Sequence, residues 1–321
     1  MKFKLTDKLE QDSRLLKDAF NKTLDTLMAQ DETVCYLDAD LMSCVGTGGL
    51  AAKYPGRAIN CGIAESNMIG VAAGMAAVGL KPYVHTFGPF ASRRVADQVF
   101  MSLAYAKLGA RIVGSDPGVT AAFNGGTHMP FEDMAMMLSI PNMVVLEPCD
   151  YDSAVDVFKK VKDYTTTPVF IRLPRKNAVK VYESVDLEIG KGIIVKDGSD
   201  VTIISSGILV AEALKAAAQL AKDGISARVV DLFTWKPIDK ELIAKCAKET
   251  GAIVTAENHN TLCGLGAQVA NVLAETVPAP IEKVGVHDCF GQVGPENFLR
   301  EEYKLTSAEI IENVKKVLSR K

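Results

Sequence analysis

The chain has 321 residues, 48% of them hydrophobic, which is long enough for two ordinary domains that each bury a core. Its 36 basic and 39 acidic residues leave a net charge of −3 with no basic stripe, which argues against nucleic acid, and its seven cysteines keep no C-x-x-C spacing, which argues against disulfides and structural zinc. The longest apolar run, Met68 to Leu80, falls short of the roughly 20 residues of a membrane span, and no apolar stretch follows the basic N-terminus, so the expected compartment is the cytoplasm.

Apolar residues recur at three and four from Ser13 to Gln30, which predicts an amphipathic helix opened by a Ser or Asp cap. A strand, "TVCYL", follows. The run "SNMIGVAAGMAAVG" predicts a buried helix closed by Gly79, then come the strand "PYVHTF", a helix from Ala91 to Lys107 closed by Gly109, and the strand "RIVG". A helix near Phe131–Leu138, the strand "MVVLEP", a helix from Asp152 to Lys162 and the strand "PVFIRL" continue the alternation. Such alternation is the mark of a parallel sheet with helices on both faces.

Between Lys176 and Asp200 the text turns polar, with Gly190, Gly192 and Gly198, and then restarts with "VTIISSG" and an Ala-rich helix to Lys222. The strands "SARVVDL", "AIVTAEN" and "IEKVGV" lie beyond it. The fold class is therefore α/β in two domains, residues 1–185 and 190–321, each a mostly parallel sheet flanked by helices.

One carboxylate, Glu65 in "GIAE", stands at the head of a helix with no further charge until Lys81. Alone it reads as a helix-terminus acid favoured by the dipole. Three other segments fall at successive strand ends, where parallel sheets bind ligands. "HTFGPFASR" sets Phe87 and Phe90 three apart, "FNGGTHMPFED" puts His128 on a glycine loop, and "RLPRKN" puts Arg175 past a strand. Each has a plain alternative: core aromatics, a turn cap, a solvated charge. Together they predict one site.

The order "GIAE", "TF..F", "GGTH.P.ED.A....IPN", "P..IRL.R.N" resembles the second half of transketolase, the thiamine-diphosphate enzyme that moves two-carbon ketol units between sugars. The likeness runs through a pyrimidine-binding domain and then the family's C-terminal domain, marked by "TAENHNTLCGLGAQVANVLAE" and "GVHDCFGQVG". It implies that Glu65 bonds ring nitrogen N1′ of the aminopyrimidine and promotes the tautomer that takes the thiazolium C2 proton. A carboxylate in an apolar pocket shares a proton more readily than one in water. The resemblance further implies that Phe87 and Phe90 stack on the pyrimidine, that His128 meets sugar hydroxyls, and that Arg175, with Arg14 more loosely, binds the substrate phosphate. It also implies a dimer interface near Gly70 and Gly74.

Three positions depart from the family pattern: Arg93 where a Tyr is common on the pocket wall, Asn124 where an Asp reads the sugar's C2 hydroxyl, and Gly114 or Ser115 where a further His stands. The donor is therefore not expected to be an ordinary pentulose phosphate. No "GDG" occurs, so the diphosphate and Mg2+ are expected to be held mainly by a separate N-terminal transketolase subunit, in a two-plus-two assembly, with no metal ligand on this chain. The rival readings are a 2-oxoacid dehydrogenase β subunit, a deoxyxylulose-phosphate-synthase-like enzyme and a non-catalytic regulatory homologue.

Overall fold

A computed structural model describes residues 2–321. Seven strands form the first sheet, in the spatial order Thr234–Lys236, Val144–Leu146, Val169–Leu173, Arg111–Ser115, Lys81–Phe87, Val34–Asp38 and Ala58–Asn60. All neighbours are parallel except Thr234–Lys236, which runs antiparallel against Val144–Leu146. The second sheet places Val201–Ser205 at its centre, parallel to Ala227–Asp231 and Ile253–Asn260, with Ile281–Val286 beyond and Ile193–Lys196 as an antiparallel edge. The fold is thus α/β in two mostly parallel, helix-flanked domains. Among the described residues no helix is long and apolar enough to cross a membrane.

The central strands are buried on both faces, which is why they read as unbroken apolar runs. Tyr36 points to one face, where Phe20 and Phe158 meet at 5.0 Å between the Leu16–Gln30 and Tyr151–Lys160 helices. Its neighbour Leu37 points to the other, with Met68, Ile69 and Ala72 of the Glu65–Ala77 helix.

Several local expectations need correction. The first helix starts at Leu16 without a side-chain cap, because Asp12 is engaged by Arg14 instead. The helix expected over 91–107 is broken into Gly88–Ala91, the turn Arg93–Val95, Ala96–Gln98 and a wide-coiled Val99–Tyr105. The Glu65–Ala77 helix is buried on one face only, and Gly70 and Gly74 lie open. The polar stretch 176–200 holds two strands: Tyr182–Asp186, which pairs with Lys2–Leu5, and Ile193–Lys196. Thr234–Lys236 follows the second sheet's strand Ala227–Asp231 in the chain yet completes the first sheet, a pairing that local composition does not encode.

The two sheets are joined by a polar core. Arg172 is fully buried and uses all five of its N–H groups: on both oxygens of Asp133 (2.9 and 2.6 Å), on Glu147 (2.8 Å), and on the carbonyls of Asn258 (2.9 Å) and Pro130 (3.4 Å). Burial works against its charge, but Asp133 and Glu147 outweigh it and hold the guanidinium more firmly protonated than usual. Glu147 also accepts from Ser206 Oγ (2.5 Å), to which Trp235 Nε1 donates at 3.0 Å. Removing the cation would leave two carboxylates buried without a counter-charge. Arg172→Met is expected to cost about 3–5 kcal/mol in urea unfolding. A loss near that of a surface ion pair, below about 1 kcal/mol, would show that the network carries little.

A second buried carboxyl behaves differently. Asp231 accepts from Tyr182 Oη (2.8 Å), while its other oxygen has no hydrogen-bond partner. Burial pushes its pKa up to about 7. A raised folded-state pKa means that the folded chain keeps the proton when the unfolded chain has lost it. This contribution to stability is whole below the ordinary carboxyl pKa and is lost as pH climbs through about 7. The difference in unfolding free energy between Asp231→Asn and the unaltered chain should therefore drift in favour of the variant from pH 5 to 7, by at most about 1.4 kcal/mol per pH unit. Parallel pH profiles would refute this.

Candidate active site

Parallel register brings the ends of three strands level. Phe87 pairs with Ser115, and Ser115 with Leu173. The residues just past those ends gather. His128, on the turn Gly126–His128, sits edge-on to both aromatics, 5.6 Å from Phe87 and 5.1 Å from Phe90, which are 6.4 Å from each other. The Arg175 guanidinium lies 4.9 Å over the Phe87 ring and donates through Nε to Asp116 Oδ2 at 2.7 Å. Burial tends to discharge Arg175, and Asp116 more than offsets it. Asp116 also lies 3.5 Å from Asn124 Nδ2, so this acid links two residues that stand far apart in the sequence.

Glu65 is the first residue of its helix and is 4% exposed. The pocket around it is not purely apolar. Arg94, distant in sequence, places Nη1 2.6 Å from Glu65 Oε1 and its Cζ 3.9 Å over the Phe90 ring. Arg93, which replaces the family's common Tyr, turns the other way and puts Nε 2.9 Å from Glu132 Oε1. A cavity of about 340 Å³ lies on that side, between Arg93, Glu132 and Met129 of the first domain and Asn260, Cys289 and Phe290 of the second.

Arg14 is near in chain path but not joined to this cluster. Its Nη2 donates to Asp12 at 2.7 Å and to Asp152 at 2.6 Å, and its guanidinium lies 4.1 Å from the Tyr151 ring centroid. The Asp12–Leu16 segment runs beside residues 176–178, since Asp12 N bonds Ala178 O and Leu16 N bonds Lys176 O.

The loop that carries Asn124 and His128 is held from the second domain. Asn258 Oδ1 accepts from Val119 N and its Nδ2 donates to Pro117 O, both at 3.0 Å. Gly118, at φ +51°, is required there, because a Cβ would stand 2.1 Å from Asn258 Oδ1. Ala122 adopts φ +47° in the same loop, a strained conformation of the kind that costs about 1–3 kcal/mol and collects at functional sites. Below the site, Ser115 Oγ, His85 and Asp38 form a line, 3.0 Å to Nε2 and 2.7 Å from Nδ1. All three are fully buried, so this line ties strand ends together and does not present a nucleophile.

Chemically, the cluster offers a buried carboxylate at a helix N-terminus, a set of aromatic faces and a cation–carboxylate rim. That fits the pyrimidine half of thiamine diphosphate. Among the described residues there is no group of three or more His, Cys, Asp or Glu that could hold a metal ion.

The chain matches two family models: transketolase, pyrimidine binding domain, over residues 13–180, and transketolase, C-terminal domain, over 190–310. It is 46% identical, over 95% of both chains, to a 6-deoxy-6-sulfo-D-fructose transketolase subunit of Clostridium sp. (strain MSTE9). It is 36% identical to an apulose-4-phosphate transketolase subunit of Phocaeicola vulgatus, covering 85% of this chain and 87% of that one. A solved structure described as a split gene transketolase, inactive beta4 tetramer, superposes with a TM-score of 0.88 at 40% identity, covering 95% of this chain and 98% of that one. The chain belongs to the transketolase family, a thiamine-diphosphate-dependent family, and corresponds to the C-terminal subunit of a split transketolase.

Proposed function

We propose that this chain supplies the pyrimidine side of a thiamine-diphosphate site, that an N-terminal subunit supplies the diphosphate and Mg2+ side, and that the pair transfers a two-carbon ketol unit between sugar phosphates. The observation that carries this is the buried Glu65 carboxylate, joined through Arg94 to the Phe90 ring, which His128 also abuts. In this reading the pyrimidine unit is residues 1–185 and the second unit 190–321.

When bound, the cofactor supplies the thiazolium carbon that attacks the ketose carbonyl. Glu65 holds a proton at ring nitrogen N1′, favoured in place by the helix terminus, while Phe87 and Phe90 fix the ring by apolar burial and offset contact. His128 has its Nδ1 2.9 Å from Thr127 Oγ1, and in this reading its Nε2 meets the sugar hydroxyls. Arg175 keeps part of its fork for a phosphate, and Arg14 takes one only by exchanging Asp152 for it.

The assembly has support in an apolar face. Ile63 and Val78 are each more than three-quarters exposed, and Gly70 and Gly74 lie between them on the helix, with Met101 and Tyr105 also exposed on the adjoining Val99–Tyr105 turn. A patch of this kind marks a protein interface. Two copies of this chain meeting here, with two of the partner, satisfy it. A Cβ at Gly74 meets nothing within 4 Å, so Gly74→Leu should fold at least as stably as the unaltered chain yet lose self-association in sedimentation. An unchanged assembly mass would place the interface elsewhere.

The chemical reading is tested at Glu65. Glu65→Gln keeps the shape but cannot cycle a proton, so C2 hydrogen–deuterium exchange of thiamine diphosphate in the reconstituted complex should slow by about 10² to 10⁴. A helix-terminus acid alone predicts near-normal exchange and a stability loss of only about 0.3–1 kcal/mol. Equal exchange rates would remove Glu65 from the chemistry.

A further inference from the structure

Arg94 stands where the proposed function puts a ring. It lies on the turn Arg93–Val95, and its carbonyl accepts from Ser66 Oγ at 3.2 Å, which ties that turn to the start of the Glu65–Ala77 helix. From this anchored backbone the side chain reaches inward. Its Nη1 is 2.6 Å from Glu65 Oε1, and its Cζ is 3.9 Å from the Phe90 ring centroid. An open groove of about 380 Å³ beside it is lined by Pro89, Phe90, Arg93, Arg94 and Thr127. Glu65 does not line that groove, whereas Arg94, bonded to it, does.

A guanidinium is a planar cation with N–H donors in its plane and a π face. A protonated aminopyrimidine is the same kind of object. Both are satisfied by a carboxylate oxygen in the plane and an aromatic ring against the face. We propose that Arg94 is a placeholder for the aminopyrimidine: it fills the subsite between Glu65 and Phe90, and the cofactor ring enters by exchanging with it. This rests on the reading of Glu65 and Phe90 given above.

The exchange has a geometric consequence. Glu65 Oε1 is occupied by Arg94 Nη1 at 2.6 Å, and once the guanidinium has swung out the same oxygen is free to face the ring. The route outward is open, since the Arg94 side chain is 44% exposed. The placeholder also spares the chain a buried carboxylate without a partner, which is costly. The subsite thus stays formed before the ring arrives.

Thiamine, which carries the aminopyrimidine without the diphosphate, is the probe, titrated into the full chain by ligand-observed NMR. Arg94→Met should bind it about 3- to 30-fold more tightly than the unaltered chain, because the ring no longer has to displace an ion pair and a cation–π contact. Adding Glu65→Gln should cancel the gain. Equal or weaker thiamine binding by Arg94→Met overturns the placeholder, and so does a gain that survives Glu65→Gln, since the emptied space and not the carboxylate would then take the ring. Melting temperature checks that each variant is folded. C2 exchange in the complex reports on Glu65 without altering Arg94. Failure there removes the underlying reading, whereas normal Glu65-dependent exchange with unchanged thiamine affinity removes only the placeholder.

Discussion

A single buried guanidinium holds the two domains in register. Arg172 sits on the strand Val169–Leu173 of the first sheet, and its five donors reach a helix residue (Asp133), a strand-end acid (Glu147), a loop carbonyl (Pro130) and the second domain (Asn258 O). An ion so placed is weak evidence for stability in itself, because desolvation offsets much of its attraction. Its directionality is what matters. Each partner lies at one end of the fork, so the first sheet, the His128 loop and the Ile253–Asn260 strand have one relative position in which no buried charge is left unpaired.

From that position the site follows. Asn258 stands on the same strand whose carbonyl Arg172 fixes, and its amide holds Pro117 and Val119. The strained loop through Ala122 then delivers Asn124 and His128 to the level strand ends. The Ser115–His85–Asp38 line performs a similar service from beneath, joining adjacent strands by side-chain hydrogen bonds where backbone pairing ends. Preorganisation is therefore distributed over both domains. The C-terminal domain does more than cover the first sheet.

What the sequence disclosed, and what it hid, divide along physical lines. Glu65, Phe87, Phe90 and His128 sit at the ends of periodic elements, and a strand end is legible from apolar periodicity alone; Phe87, Phe90 and His128 prove to be mutual neighbours. Arg94 and Asp116 carry no local signal, because their importance lies in partners 29 and 59 residues away, Glu65 and Arg175. Arg172 was present in the same "IRLPRKN" text as Arg175, but a full burial with five partners has no local signature. The strand Tyr182–Asp186 is hidden in polar text because its outward residues Glu183, Ser184 and Asp186 are polar, and Ile193–Lys196 because it is a four-residue edge strand between glycines. The break in the 91–107 helix follows the turn Arg93–Val95, where two arginines diverge to separate carboxylates.

Charge at the mouth of the site is balanced arginine by arginine. Arg93 meets Glu132, Arg94 meets Glu65 and Arg175 meets Asp116, while outside the cluster Arg14 meets Asp12 and Asp152. The family resemblance implies a phosphate contact at Arg175 and, more loosely, at Arg14. The structure sets all four arginines against carboxylates of the same chain, so their fields largely cancel beyond a few ångströms. An anion that displaces one of these internal carboxylates gains only the difference between two charge-assisted bonds. Such a rim discriminates by geometry. Only a ligand that places its anionic and hydroxyl groups where the displaced carboxylates stood recovers what the exchange gives up, and a merely negative one does not.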